Sequence, residues 1–124
     1  MRMMIAVAIG GAIGAMSRYA ISSHIARMMG SGFPWGTLAV NLIGSFLMGL
    51  LAPLLLSRIS SPEIRGFITV GVLGSLTTFS TFSMETVVLY QRGDTALAAL
   101  NIGVSVAACI AGLIVGLQAG KVFS

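Results

Sequence analysis

The sequence is poor in charge. Its 124 residues hold 7 Lys and Arg, 3 Asp and Glu, and one His. Soluble domains carry about 25% charged residues. Here the share is 8%, against 56% hydrophobic residues and a mean hydropathy of +1.02. A soluble fold would have too few polar side chains to cover its surface, so the composition is that of a membrane protein. Cysteine is nearly absent as well. Cys109 stands alone in an apolar run, with no CxxC and no Cys/His cluster. That excludes an intramolecular disulfide and a structural zinc site, and leaves a small packing residue. No Ser/His/Asp set or phosphate loop is visible, and hydroxyl runs without an activating base make no nucleophile. The chain is therefore not expected to be an enzyme. The formal net charge is +4, but Arg2, Arg18, Arg27, Arg58, Arg65, Arg92 and Lys121 are scattered. They form no basic stripe with interleaved aromatics, so a nucleic-acid partner is not expected.

Long apolar runs are what the chain does have. One domain, residues 1–124, is the default at this length. A spanning helix needs about 20 mostly apolar residues. Four segments qualify, at about 3–28, 36–56, 64–90 and 96–119. The N-terminal MRMMIAVAIGGAIGAM imitates a signal peptide, but its glycine content and the three spans that follow mark it as a retained first span. Gly30-Ser31-Gly32-Phe33-Pro34, Ser57 to Glu63, and Gln91-Arg92-Gly93-Asp94 read as short links. In the second, Ser61 is a candidate cap with Pro62 at the first helical position and Glu63 favourable to the dipole. Trp35 sits at a span edge, as an interfacial belt residue would. The reading is thus an all-α polytopic protein of the lipid bilayer.

Alternating spans place Arg2, Arg58, Arg65 and Lys121 on one side of the membrane, and Arg27, Arg92 and arguably Arg18 on the other. Orientation follows Lys and Arg asymmetry, and this asymmetry is weak. It suggests insertion in both orientations and antiparallel pairing. Gly10 and Gly14, and Gly112, Gly116 and Gly120, are rows of the small-xxx-small kind that let helix backbones approach closely in lipid. A four-helix bundle has no room for a central aqueous pore, so a polar pathway would lie between subunits.

Residues 71–83 read GVLGSLTTFSTFS, in the middle of the third span. Glycine weakens a helix by about 1 kcal/mol against alanine. Serine and threonine bond backbone carbonyls and bend helices. A break near Gly74–Thr78 is expected. Irregular backbone at membrane depth survives only where protein or a water-filled cavity covers it. Freed carbonyls there would form a hard oxygen cluster suited to a dehydrated cation such as Na⁺.

This stretch resembles the third-helix signature of the Fluc (CrcB-like) fluoride channels. Gly10-Gly11-Ala12-Ile13-Gly14-Ala15-Met16-Ser17-Arg18-Tyr19 resembles that family's first-helix block. Gly36-Thr37-Leu38-Ala39-Val40-Asn41-Leu42-Ile43-Gly44-Ser45-Phe46 resembles its second. The resemblance implies an antiparallel, dual-topology homodimer of four-helix subunits, with two narrow pores at the interface. It implies passive export of fluoride from the cytoplasm across a bacterial inner membrane. It also implies a central structural Na⁺ on backbone carbonyls, which map to Gly74 and Thr77. The family's two phenylalanines map to Phe79 and Phe82, and its pore asparagine to Asn41.

Physical chemistry supports such roles. A phenylalanine ring has a positive edge, so ring edges can line an anion path without a fixed cation that traps the ion. Phe79 and Phe82, three apart, share a helix face. Ser80 and Thr81 offer hydroxyl donors and Asn41 an amide with two. Conduction needs binding weak enough for release. Plainer roles fit the same residues: core aromatics for Phe79 and Phe82, a helix–helix hydrogen bond for Asn41, helix benders for Ser80 and Thr81. Arg18 would attract anions at a vestibule or reach the interface. Glu85, inside the third span, matches an acidic position in the family and is assigned with Arg18 to the vestibule. It would pair with an arginine or be protonated. In the fourth span Asn101 and Ser105 share a face, and only Ser105 is an obvious pathway hydroxyl. A small drug/proton antiporter also has about four spans, but the first span holds no acid. A purely structural membrane protein would explain the glycine rows but not the polar break.

Overall fold

The computed structural model describes residues 1–124, and every element in it is helical. Helix α1 runs Arg2–Met29, α2 Trp35–Arg58 and α3 Pro62–Gly66. A π-helical segment, Phe67–Leu73, follows, then the single turn α4, Gly74–Leu76. Helix α5 spans Phe79–Gln91 and α6 Thr95–Phe123. Arg2–Met29, Trp35–Arg58, Pro62–Gln91 and Thr95–Phe123 are long and apolar enough to cross a membrane. Their ends lie one to four residues beyond those read from the sequence.

The links follow from local chemistry. Gly30 and Gly93 take positive φ values of 83° and 88°, where a side chain would be strained. Ser61 caps α3: its Oγ accepts from the Ile64 N–H at 3.4 Å and donates to the Glu63 carboxylate at 3.0 Å. Arg65 donates to the Ile59 carbonyl at 2.7 Å and Arg58 to that of Phe123 at 2.8 Å, tying the α2–α3 link to the chain's end.

Glycine decides the packing. A Cβ on Gly49 would run into the Leu113 carbonyl, and one on Gly116 into that of Phe46. These contacts bring α2 and α6 backbone to backbone. Gly10 likewise faces the Phe67 carbonyl and Gly71 across α1 and the π segment. In lipid, where apolar side chains gain nothing by leaving the solvent, such close contact is a principal cohesive force. Between the two pairs lies a small core of Val40, Leu73 and Leu76.

The third span is broken, and the break is narrower than expected. Gly74 is helical, at φ −63° and ψ −33°. Only Thr77 (φ −88°, ψ 155°) and Thr78 (φ −151°, ψ 119°) are extended. They fall at the middle of the 30-residue stretch Pro62–Gln91. The sequence did not announce the π segment before them. Its extra residue per turn reorients the face that follows.

Candidate functional site

The break is held open from outside. In an unbroken helix the Thr78 N–H would donate to the Gly74 carbonyl. Instead it donates to Asn41 Oδ1 on α2, at 2.7 Å. Asn41 Nδ2 returns a bond to the Thr78 carbonyl at 3.1 Å. One amide thus satisfies both backbone groups of a residue that is 8% exposed. The second N–H of Asn41 remains for another partner.

Thr78 then starts α5. Its Oγ1 accepts from the Thr81 N–H at 3.2 Å and donates to Thr81 Oγ1 at 3.1 Å. Ser80 Oγ lies 3.3 Å from the same atom. With Thr78's proton given to Thr81, the Ser80 hydroxyl is the donor in that pair. The Thr81 proton remains uncommitted among these three hydroxyls.

Two clefts flank the break. The larger, about 370 Å³, is lined by Asn41, Ser45, Phe79, Phe82, Ser105 and Cys109, with Thr77 and Thr78 at its wall. The Phe79 and Phe82 ring centroids are 5.4 Å apart and tilted by 49°. Phe82 is buried, whereas Phe79 is 77% exposed and projects from the helix bundle. The second cleft, about 250 Å³, is lined by Arg18, Thr37, Thr78 and Thr81 among others. Thr78 borders both, so a thin partition of broken backbone separates them.

The structure therefore gathers Asn41, Phe79, Phe82 and Ser105 in one cleft, and Arg18 and Thr81 in the other. Glu85 makes no ion pair; the protein's one salt bridge is Arg92–Asp94, on the surface. Glu85 Oε1 accepts from the Thr37 hydroxyl at 2.7 Å, and its buried Oε2 has no partner. The Ser105 hydroxyl donates to Asn101 Oδ1 at 3.1 Å rather than into the cleft. Sequence reasoning missed Thr78 and Thr37. A threonine just before an apolar helical run is a cap signal, so Thr78 was within reach. Nothing in the sequence pairs Thr37 with Glu85, 48 residues away.

Comparison with known proteins identifies the family. Residues 5–117 match the family described as CrcB-like protein, Camphor Resistance (CrcB). The chain belongs to the CrcB family. A Fluoride-specific ion channel FluC from Magnetococcus marinus is 50% identical to this CrcB chain over 116 residues, 93% of it and 94% of the relative. Its namesake from Shewanella halifaxensis is 53% identical over 112 residues, 90% of each. That from Shewanella oneidensis is 48% identical over 118 residues, 95% of each. Family and helices together make this a multi-pass membrane protein of an ion-channel family, which is not a class of enzymes.

Proposed function

We propose that the protein is a fluoride-selective channel that lets fluoride leave the cytoplasm passively and so lowers its toxicity. The observation that carries this reading is the two-residue break at Thr77–Thr78, opening on a cleft of aromatic rings and neutral polar groups. Fluoride is small and strongly hydrated, so a pore must replace its water. The edges of Phe79 and Phe82 and the second N–H of Asn41 in the larger cleft, and the uncommitted hydroxyl of Thr81 in the smaller one, offer positive dipoles without a full charge, while the Ser80 proton is spent on Thr78. None binds so strongly that release fails. Arg18 gathers anions at the smaller cleft. Glu85, held by Thr37, stays beside it and out of the larger one.

The working unit is an antiparallel homodimer in the bacterial inner membrane, with two pores at its interface. Exposed Phe79, Ser80 and Gly74 at mid-span support it, because a lipid-facing break is not viable. So does the weak Lys and Arg asymmetry. Reporters fused to the C-terminus should signal from both faces, and signal from one face alone would refute dual topology. Sodium is the structural ion of this unit, and the backbone fits it. No turn or cap hydrogen bond ends on the Gly74 or Thr77 carbonyl. Hard carbonyl oxygens at a helix interruption suit Na⁺. Gly74 and Thr77 of each protomer would hold it, and its charge would offset the carbonyl dipoles there.

The direct test is efflux from loaded liposomes, followed with a fluoride electrode and with chloride as the control. Fluoride should leave rapidly with an uncoupled electrical response, and chloride should stay. Vesicles no leakier to fluoride than empty ones would end the reading. Proton movement driven by an organic cation would favour an antiporter instead.

A further inference from the structure

The polar side chains joining α5 to α6 form a chain whose hydrogen-bond directions are fixed from one end. A carbonyl oxygen can only accept, so the Thr86 hydroxyl donates to the Phe82 carbonyl, at 2.8 Å. Its single proton spent, Thr86 Oγ1 can only accept from α6. Asn101 must therefore turn Nδ2 toward it, at 2.9 Å. That leaves Asn101 Oδ1 facing Ser105, and an amide oxygen also only accepts. The Ser105 hydroxyl must donate, at 3.1 Å. Asn101 is 1% exposed and Ser105 6%, so little water competes for these groups. Ser105 also lines the larger cleft with Asn41 and Phe82. It shows that cleft lone pairs and no proton.

We propose that Asn101 is a positioning residue that holds Ser105 as a hydrogen-bond acceptor in the pathway, so that this wall contacts water travelling with the anion and not the anion itself. The inference rests on the fluoride reading above. Bare fluoride against hydroxyl lone pairs is repelled. A water molecule there can give one hydrogen to Ser105 and point the other at the ion. The cleft then has unlike walls. Asn41 and the ring edges on α2 and α5 attract the anion, while α6 meets its remaining hydration. Asn101 thereby prevents an extra donor from deepening the site and slowing release.

The test is fluoride efflux from proteoliposomes at varied fluoride concentration, on folded, monodisperse protein. Asn101→Leu, similar in size, frees the Ser105 proton to turn into the cleft. The half-saturating fluoride concentration should fall about tenfold, the worth of one hydrogen bond to an ion, and the maximal rate should fall with it. Combined with Ser105→Ala, the Asn101 change should no longer shift half-saturation relative to Ser105→Ala alone. A lower maximal rate with unshifted half-saturation, whatever stands at position 105, would make Asn101 merely structural and overturn the proposal. If Asn101→Leu does not fold, Thr86→Val carries the test, since it removes the hydroxyl that fixes the amide's direction. It should shift half-saturation the same way, and no shift would overturn the proposal. Unaltered protein without fluoride flux overturns the channel reading and this inference together. Flux in the unaltered protein without the shift overturns this inference alone.

Discussion

Replacing Asn41 with alanine removes both bonds to Thr78, the 3.1 Å one to its carbonyl and the 2.7 Å one from its N–H. Left in place, the two buried backbone groups would each cost about 1–3 kcal/mol unpaired. The chain has a way to avoid that cost, because a continuous helix returns the Thr78 N–H to the Gly74 carbonyl. The two lost bonds, at about 1 kcal/mol net each, then tip the balance toward the unbroken form by about 2 kcal/mol, roughly thirtyfold. Helix–helix bonds in membranes average only ~0.6 kcal/mol, which sets the lower bound near eightfold. Straightening the segment rotates Phe79 and Phe82 away from the cleft and recommits a carbonyl proposed to hold sodium. Initial fluoride efflux should fall about tenfold or more at equal protein density. The Thr78 amide should become more exposed to exchange as it samples both forms. Asn41→Asp keeps the acceptor for the N–H, loses the donor to the carbonyl and sets a negative charge beside the anion path, so it should be worse still. Unaltered efflux and unaltered Thr78 exchange in Asn41→Ala would refute the idea that this side chain holds the break.

Phe79→Ile and Phe82→Ile should each severely reduce fluoride efflux while the protein still assembles, and normal flux in both would remove the ring-edge mechanism. Gly116→Leu should yield no monodisperse protein, because its side chain meets the Phe46 carbonyl, whereas Gly103→Ala faces open space and should be neutral or stabilising by up to about 1 kcal/mol. Size-exclusion chromatography reads the first and thermal unfolding in detergent the second, and a monodisperse Gly116→Leu protein as stable as the unaltered one would discredit the close-packing account. Thr37→Val strips Glu85 of its one hydrogen-bond partner and should destabilise by about 1–3 kcal/mol, with Thr37→Ser restoring most of it. Sodium should remain with the protein after purification in sodium-free buffer, and its absence from folded protein would count against the Gly74 and Thr77 carbonyls.

Composition and run length were enough to read four apolar helices, because those properties act over twenty residues at a time. The break was legible for a similar reason: Gly71, Gly74 and the serines and threonines after them each disfavour an uninterrupted helix. What could not be read was how the break is resolved. Phe67–Leu73 spells FITVGVL, an ordinary apolar helix by pattern, yet it winds as a π segment where Gly71 meets Gly10 of α1. The width of the break depends on Asn41, 37 residues away, offering both a donor and an acceptor to one peptide unit. Ser105 was legible as a candidate hydroxyl, and it does line the larger cleft. The direction of its proton was not, since that depends on Thr86 and Asn101 together.

The break also bears on the proposed pairing of two copies of this chain. Between helices in lipid there is little hydrophobic drive, since the surrounding tails are as apolar as leucine. Covering the exposed ring of Phe79 with a second chain would therefore gain little from its apolar surface alone. Polar groups are different. Exposed Gly74 and the half-buried Thr77, whose carbonyls accept no turn or cap hydrogen bond, put backbone oxygens at the depth where no lipid atom can answer them. Each such group costs several kcal/mol if left bare. A second copy meeting the first at this place would remove that cost on both chains and roof the cleft with another Phe79. On this view the two extended threonines serve conduction and assembly alike. In the proposed channel they would create the dipoles an anion follows and make a solitary copy unfavourable.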